Sequence, residues 1–240
     1  MKQPTRSALI TGASSGIGLA YAEMLASEGY DLTVVARGSA RLADAATRLR
    51  GQGVTVVEHP ADLTDEDQIR AVFEAHGAAF GSLDVLVNNA GTAQLGAADD
   101  ISAEMIDPQF ALNVRALMLA YREAIPWLTK AASDHGQALV LNVSSIAAQR
   151  GTPMMSVYAA TKAAVLNFTR SMHAELVGRG IKSTAVCPAF VDTPFTDDVK
   201  GRIAAETMIR PSDVAELSRP LLHLSAVCHV PELTLDRLVA

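Results

Sequence analysis

Short runs of apolar, β-branched residues alternate along the chain with longer segments in which apolar positions recur every three to four residues. The runs predict strands at Ala8–Thr11, Leu32–Ala36, Val54–Glu58, Val85–Asn88, Ala138–Val143 and Ser183–Cys187. The periodic segments predict helices at Gly18–Glu28, Ala40–Arg50, Asp65–Ala79, Ala103–Thr129 and Val157–Val177. Strands that are apolar throughout, rather than alternating, belong to a parallel sheet covered on both sides. With right-handed crossovers this is an α/β chain, a Rossmann-type doubly wound parallel sheet with helices on both faces. No repeat, low-complexity linker or shift of composition divides it, so a single domain over residues 1–240 is expected. The polar stretch Asp192–Arg210 joins the last predicted strand to a helix near Ser212 and is the candidate flap over a site. Pro220 should kink or interrupt that helix.

Composition narrows the function classes. Of 240 residues, 49% are hydrophobic and 19% charged, enough apolar surface for a sizeable core. A net charge of −6 with both signs scattered predicts neither a nucleic-acid nor a membrane-surface partner. Cys187 and Cys228 are too few for a disulfide framework, and Met1–Arg6 is too short and polar for a signal peptide. No run approaches the roughly 20 apolar residues of a membrane helix. A cytoplasmic protein is expected. The six histidines show no ligand spacing, and no metal is expected.

The first predicted strand runs into Thr11-Gly12-Ala13-Ser14-Ser15-Gly16-Ile17-Gly18, and a helix follows. Gly12 suits a tight turn, Gly16 a close backbone approach to a pyrophosphate, and Gly18 close packing of helix on sheet. The helix N-terminus offers free N–H groups and a positive dipole end to phosphate. Such a run is by itself compatible with an ordinary turn; its place after the first strand of an α/β chain is what points to a nucleotide.

The spacing G-x-x-x-G-x-G departs from the commoner G-x-G-x-x-G and resembles the single-domain short-chain dehydrogenase/reductase family. Asp62-Leu63 after the third strand, Asn88-Asn89-Ala90-Gly91 after the fourth, and Asn113 in the long helix beyond agree with it in order. So do Ser145, thirteen residues before Tyr158 in Tyr158-Ala-Ala-Thr-Lys162, and Pro188-Ala-Phe-Val-Asp-Thr193. The resemblance covers about residues 7–224. It implies that Gly12, Ser14, Ser15, Gly16, Ile17 and Gly18 hold the pyrophosphate and its riboses, Asp62 and Leu63 the adenine, and Asn89, Ala90 and Gly91 the adenine ribose. Pro188, Val191 and Thr193 would hold the nicotinamide end. Asn113, Ser145, Tyr158 and Lys162 would form the catalytic tetrad, with Tyr158 and Lys162 also touching cofactor and Asn113 anchoring a proton-relaying water. Three departures stand out. Ala189 occupies a usual glycine position and would be strained if its φ were positive, Ala148 replaces another glycine, and the ending Pro231–Ala240 lacks the family's frequent Val-Asp-Gly-Gly.

The chemistry follows from the residue types. Tyr158 and Lys162, four apart on a helix, face the same way. An ammonium near the phenol, together with a cationic nicotinamide, should favour the phenolate and bring its pKa down from the ordinary ~10. Tyr158 would then pass a proton to or from the substrate oxygen, and Ser145 would polarise that oxygen. Singly, a Tyr-x-x-x-Lys is a common solvated helix face, a Ser-Ser pair is common turn chemistry, and an Asn in a helix often bonds a neighbour.

At the end of the second strand, Ala36 leaves uncharged the position where a carboxylate would bind a ribose 2′-hydroxyl. Arg37, helped by Arg41, instead offers a donor fork for a 2′-phosphate, predicting NADP(H). The expected activity is hydride transfer between nicotinamide and a carbonyl or alcohol carbon. The competing readings are a nucleotide-binding regulator with a non-catalytic site and the family's epimerase or dehydratase branch. The segments Thr92–Leu95, Ile146–Met155 and Phe190–Met208 should form the substrate pocket. Within them Leu95, Met154, Met155, Phe190 and Phe195 favour a lipophilic ketone or aldehyde, and Arg150 is a candidate for an anionic group. The long helices Ala103–Thr129 and Val157–Val177 carry surplus apolar surface, which predicts a homodimer or homotetramer, an expectation that the mass in solution checks.

Overall fold

The computed structural model describes residues 6–199 and 203–238. Every strand is parallel to its neighbours in one sheet of order β3-β2-β1-β4-β5-β6-β7. The strands are β1 Ser7–Thr11, β2 Asp31–Ala36, β3 Val56–Pro60, β4 Val85–Asn88, β5 Ala138–Val143, β6 Ile181–Pro188 and β7 Glu232–Leu235. The helices are α1 Gly16–Ser27, α2 Ser39–Arg50, α3 Glu66–Phe80, α4 Ala103–Phe110, α5 Leu117–His135, α6 Ser156–Leu176 and α7 Pro211–Ser218.

Successive strand side chains point to opposite faces, and both faces are apolar. Ile10, Val34, Val87 and Leu141 pack under α1, α2 and α7, where Tyr21, Leu25, Leu42, Leu49 and Val214 meet them. Leu9, Val35, Leu86 and Val140 pack on the other side, against Ile69, Val72 and Phe73 of α3 and Tyr121 and Leu128 of α5. This two-sided burial is why the strand sequences do not alternate.

The structure departs from the sequence expectations at three places. The stretch predicted as one helix, Ala103–Thr129, is broken by a π-helical turn over Ala111–Ala116 and runs on to His135. The third strand lies two residues later than predicted, because Leu32 pairs with Val56 and Ala36 with Pro60. As an edge strand it tolerates Pro60, which has no N–H to offer. The atypical C-terminal stretch supplies a seventh strand that the pattern did not announce. The interruption expected at Pro220 is seen: α7 stops at Ser218 and a 3₁₀ turn over Arg219–Leu222 follows. Among the described residues no helix is long and apolar enough to cross a membrane.

The edge of the sheet opposite the strands' carboxyl ends holds a buried polar knot. His76 of α3 bonds Thr33 at 2.8 Å, the Ser82 carbonyl at 3.0 Å and Ser7 at 3.3 Å. Burial pulls its pKa down to about 4, opposed in part by the Ser82 bond. Unfolded, the ring titrates near ~6.5. Between those values the unfolded chain takes up a proton that the folded chain refuses, so stability falls as pH drops through this window. The expected loss from this group between pH 7 and pH 5 is about 2 kcal/mol. Urea unfolding of wild type and His76→Gln at both pH values checks it; an equal slope in the two proteins would assign the acid lability elsewhere.

Candidate active site

The strand order turns at β1, whose neighbours are β2 on one side and β4 on the other. At such a switch point the loops leaving the two strands diverge and open a crevice. Here their ends are laced together. The Thr11 hydroxyl accepts from the N–H groups of Asn89 at 3.0 Å and Ala90 at 3.1 Å. The Asn89 side chain donates back to the carbonyls of Thr11 at 3.1 Å and Gly12 at 3.2 Å.

The loop that follows needs its glycines. Gly12 and Gly16 have φ of 67° and 56°, the left-handed region that L side chains avoid. A Cβ on Gly18 would collide with the carbonyl oxygen of Gly12 and the Asn89 amide. Ser15 caps α1 without a side-chain bond, and the first turn carries no acidic residue. Its N–H groups and dipole end are therefore available to an anion.

One cavity of about 350 Å³ collects most of the residues singled out above. Gly12, Ser14, Ser15, Gly16, Ile17, Asn89, Ala90 and Gly91 line its middle, with Arg37, Arg41 and Leu63 at one end. Ser145, Tyr158, Lys162, Pro188, Val191 and Thr193 line the other. Thr193 reaches across to the first loop, since a Cβ on Gly16 would lie 2.9 Å from its Cγ2. Gly18, Asp62 and Asn113 stand outside the lining. Gly18 acts by packing. The Asp62 carboxylate accepts from Thr64 N at 3.0 Å and Oγ1 at 2.8 Å, which, with a smaller pull from Arg37, holds it below the ordinary range. Asn113 sits in the π turn, buried, donating to the Thr92 carbonyl at 2.8 Å and Thr161 Oγ1 at 3.0 Å. It accepts from Thr92 N at 2.7 Å.

At the reactive end the groups are close and dry. Ser145 leaves β5 in an extended conformation, accepts from Ala147 N at 3.2 Å and donates to the Pro188 carbonyl at 3.5 Å. Tyr158 and Lys162 rise from one face of α6, the Lys162 Nζ 5.7 Å from the Tyr158 ring centre and donating to the Val143 carbonyl at 2.8 Å. Burial decides both charges. It pushes Tyr158 up to about 12, against the lowering effect of Ser145, and pulls Lys162 down to about 8. Burial thus works against the lowering expected from Lys162 and a cationic nicotinamide. The ammonium is directed at a backbone carbonyl, and desolvation is the largest influence on both groups.

Of the residues expected in the pocket, Met155, Phe190 and Phe195 line the cavity, and Phe195 lies 6.1 Å from the Tyr158 ring. Leu95 and Met154 do not; both are exposed. Met154 has φ 68°, left-handed for a non-glycine residue, and its carbonyl accepts from Gly96 N at 3.0 Å. Arg150 is paired at the surface with Asp236 at 2.6 Å and lies outside the lining. Ala189 has no positive φ, so its side chain carries no strain of that kind, and neither has Ala148. Residues 200–202 of the expected flap lie outside the described residues. The lining also includes Leu112, Val143, Ser144 and Thr152. Of these, Thr152 falls within the expected pocket segment Ile146–Met155 and Ser144 stands beside Ser145; the Ser144 hydroxyl donates to the Lys162 carbonyl at 2.8 Å and so seats that turn of α6.

Comparison with known proteins places this geometry. The profile of the family described as short chain dehydrogenase matches residues 6–203. The 3-oxoacyl-acyl-carrier-protein reductase FabG of Staphylococcus aureus is 34% identical over 205 residues, covering 85% of this chain and 82% of that one. An alcohol dehydrogenase from the archaeon Thermococcus sibiricus, solved with 5-hydroxy-NADP, superposes with a TM-score of 0.88 at 29% identity over 97% of this chain and 96% of that one. An actinorhodin polyketide ketoreductase variant with NADPH gives 0.88 at 28% identity, with 97% and 96% covered. The chain belongs to the short-chain dehydrogenase family and is an oxidoreductase of the dehydrogenase/reductase type.

Proposed function

We propose that the protein reduces a lipophilic ketone or aldehyde at the expense of NADPH, with the reverse oxidation available from the same groups. The observation that carries this reading is one cavity with a pair of arginines at one end and Ser145, Tyr158 and Lys162 together at the other. Solved relatives with NADPH or an NADP derivative support it.

The residues fit the cofactor. The loop Gly12–Gly18 would take the pyrophosphate at the bare N-terminus of α1. Arg37 and Arg41, both exposed at the cavity end, would take a 2′-phosphate where Ala36 provides no opposing carboxylate. Leu63 would cover the adenine. Bound there, the nicotinamide supplies the hydride exchanged with the substrate carbon. Tyr158, protonated at neutral pH, gives its proton to the substrate oxygen as negative charge develops on it. Ser145, on the same cavity wall, donates to the same oxygen and polarises it. Lys162, still largely protonated near neutrality, makes it easier for the tyrosine to part with its proton. Asn113 braces the loop at Thr92 and, through Thr161, the turn of α6 carrying Tyr158. The walls Met155, Phe190, Phe195 and Ile146 suit an apolar substrate body. A regulator with a non-catalytic site would have no use for this buried cluster.

Two outcomes test the reading. Tyr158→Phe keeps the ring and its packing but removes the proton, so kcat should fall about a hundredfold or more while NADPH, followed by its fluorescence, still binds. Near-wild-type turnover in that variant would remove the mechanism and leave a nucleotide-binding fold. Arg37→Ala should cut the preference for NADPH over NADH in kcat/KM by about tenfold or more, the value of a lost charge-assisted hydrogen bond. An unchanged preference would assign the 2′-phosphate to other groups.

A further inference from the structure

The atypical C-terminal stretch leaves β7 beside the point where β6 runs into the flap, because Pro188 pairs with Leu235. Three successive residues then reach toward the substrate end of the cavity. The Leu235 carbonyl accepts from Ala189 N at 2.8 Å. Asp236 holds Arg150, at the end of the segment that begins with Ser145, at 2.6 Å, and accepts from Arg237 N at 2.9 Å. Arg237 lies with its guanidinium 5.3 Å from the centre of the Phe190 ring and donates to Thr207 Oγ1 at 3.4 Å. Phe190 begins the flap and lines the cavity; Thr207 stands near its far end. Between them Ile209 N donates to the Phe190 carbonyl at 3.0 Å and Asp192 N to the Ile209 carbonyl at 2.8 Å. One side chain therefore touches both limbs of the flap at its base, and one of the residues it touches is a wall of the pocket.

We infer that Arg237 is a specificity-determining brace: it fixes the Phe190 ring and the base of the flap, and so sets how bulky a carbonyl compound the cavity admits. The specificity part rests on the reductase reading above. Arg237 lines no part of the cavity and is a positioning residue, acting through Phe190. Ionic and polar bonds from Gln149 and Arg170 to Glu232 hold β7 itself, so the brace stands on a fixed strand. A cation over an aromatic face at a partly exposed site is worth about a two- to fivefold change in an equilibrium.

The test uses the full chain and two readouts. Amide hydrogen exchange at Asp192 and Ile209 should quicken about two- to fivefold in Arg237→Ala, with Leu139 and Val140 of β5 unchanged. The ratio of kcat/KM for a bulky aryl ketone to that for a small aliphatic one, with NADPH, should rise by a similar factor, while NADPH affinity stays within about twofold. Arg237→Lys, which keeps a cation over the ring, should move both readouts back toward wild type. Unchanged exchange at the flap base overturns the brace, whether or not any substrate is turned over. Faster exchange with an unchanged ratio overturns the specificity role alone. A wild-type protein inert toward every carbonyl compound defeats the reductase reading instead, and the exchange experiment still decides the brace.

Discussion

The hydrogen bonds that lace Thr11 to Asn89 and Ala90 are made where the sheet changes direction, and the rest of the site is arranged around them. A parallel sheet brings every strand's carboxyl end to one edge, so the loops after β1, β4, β5 and β6 are neighbours although far apart in sequence. Without the lacing, the two loops at the switch point would be free to part. With it, the Asn89 amide lies against the Gly12 carbonyl and leaves no room for a Cβ at Gly18. Helix α1 can therefore start close to the sheet, with its N-terminal N–H groups directed into the crevice.

Desolvation governs the reactive end. Tyr158 and Lys162 are buried, and burial favours the neutral form of each, a raised phenol and a lowered ammonium. A protonated Tyr158 is the state suited to delivering a proton to a carbonyl oxygen that gains electrons. Ser145 nearby partly offsets burial at Tyr158. The backbone carbonyls of Val143 and Pro188, which face Lys162 and Ser145, complete the setting.

Features carried by side-chain type and spacing were legible in the sequence: the sheet class, the glycine loop, the cluster Ser145, Tyr158 and Lys162, and the arginines after β2. Features carried by backbone groups or by packing were not. No residue type announces that the Val143 carbonyl will hold Lys162. The apolar period of Ala103–Thr129 runs unbroken through the π turn, so the widened turn that seats Asn113 leaves no trace in the pattern. Glu232–Leu235 is short, half-buried and preceded by Pro231, and it is a strand because β6 offers an edge to pair with. The strain considered at Ala189 is absent because its backbone does not take the left-handed form. Lys162 and a cationic nicotinamide were expected to lower Tyr158; burial, which a sequence does not display, works against them.

The central claim is that one cavity brings a nicotinamide and a carbonyl carbon together beside Tyr158. NADPH carrying deuterium at both C4 positions, incubated with the wild-type protein and a panel of aryl and aliphatic ketones, tests it most directly. Mass spectrometry should find one deuterium on the carbinol carbon of the product alcohol, formed in step with NADPH oxidation. Alcohol without deuterium, or no alcohol from any ketone while NADPH binds, would contradict it.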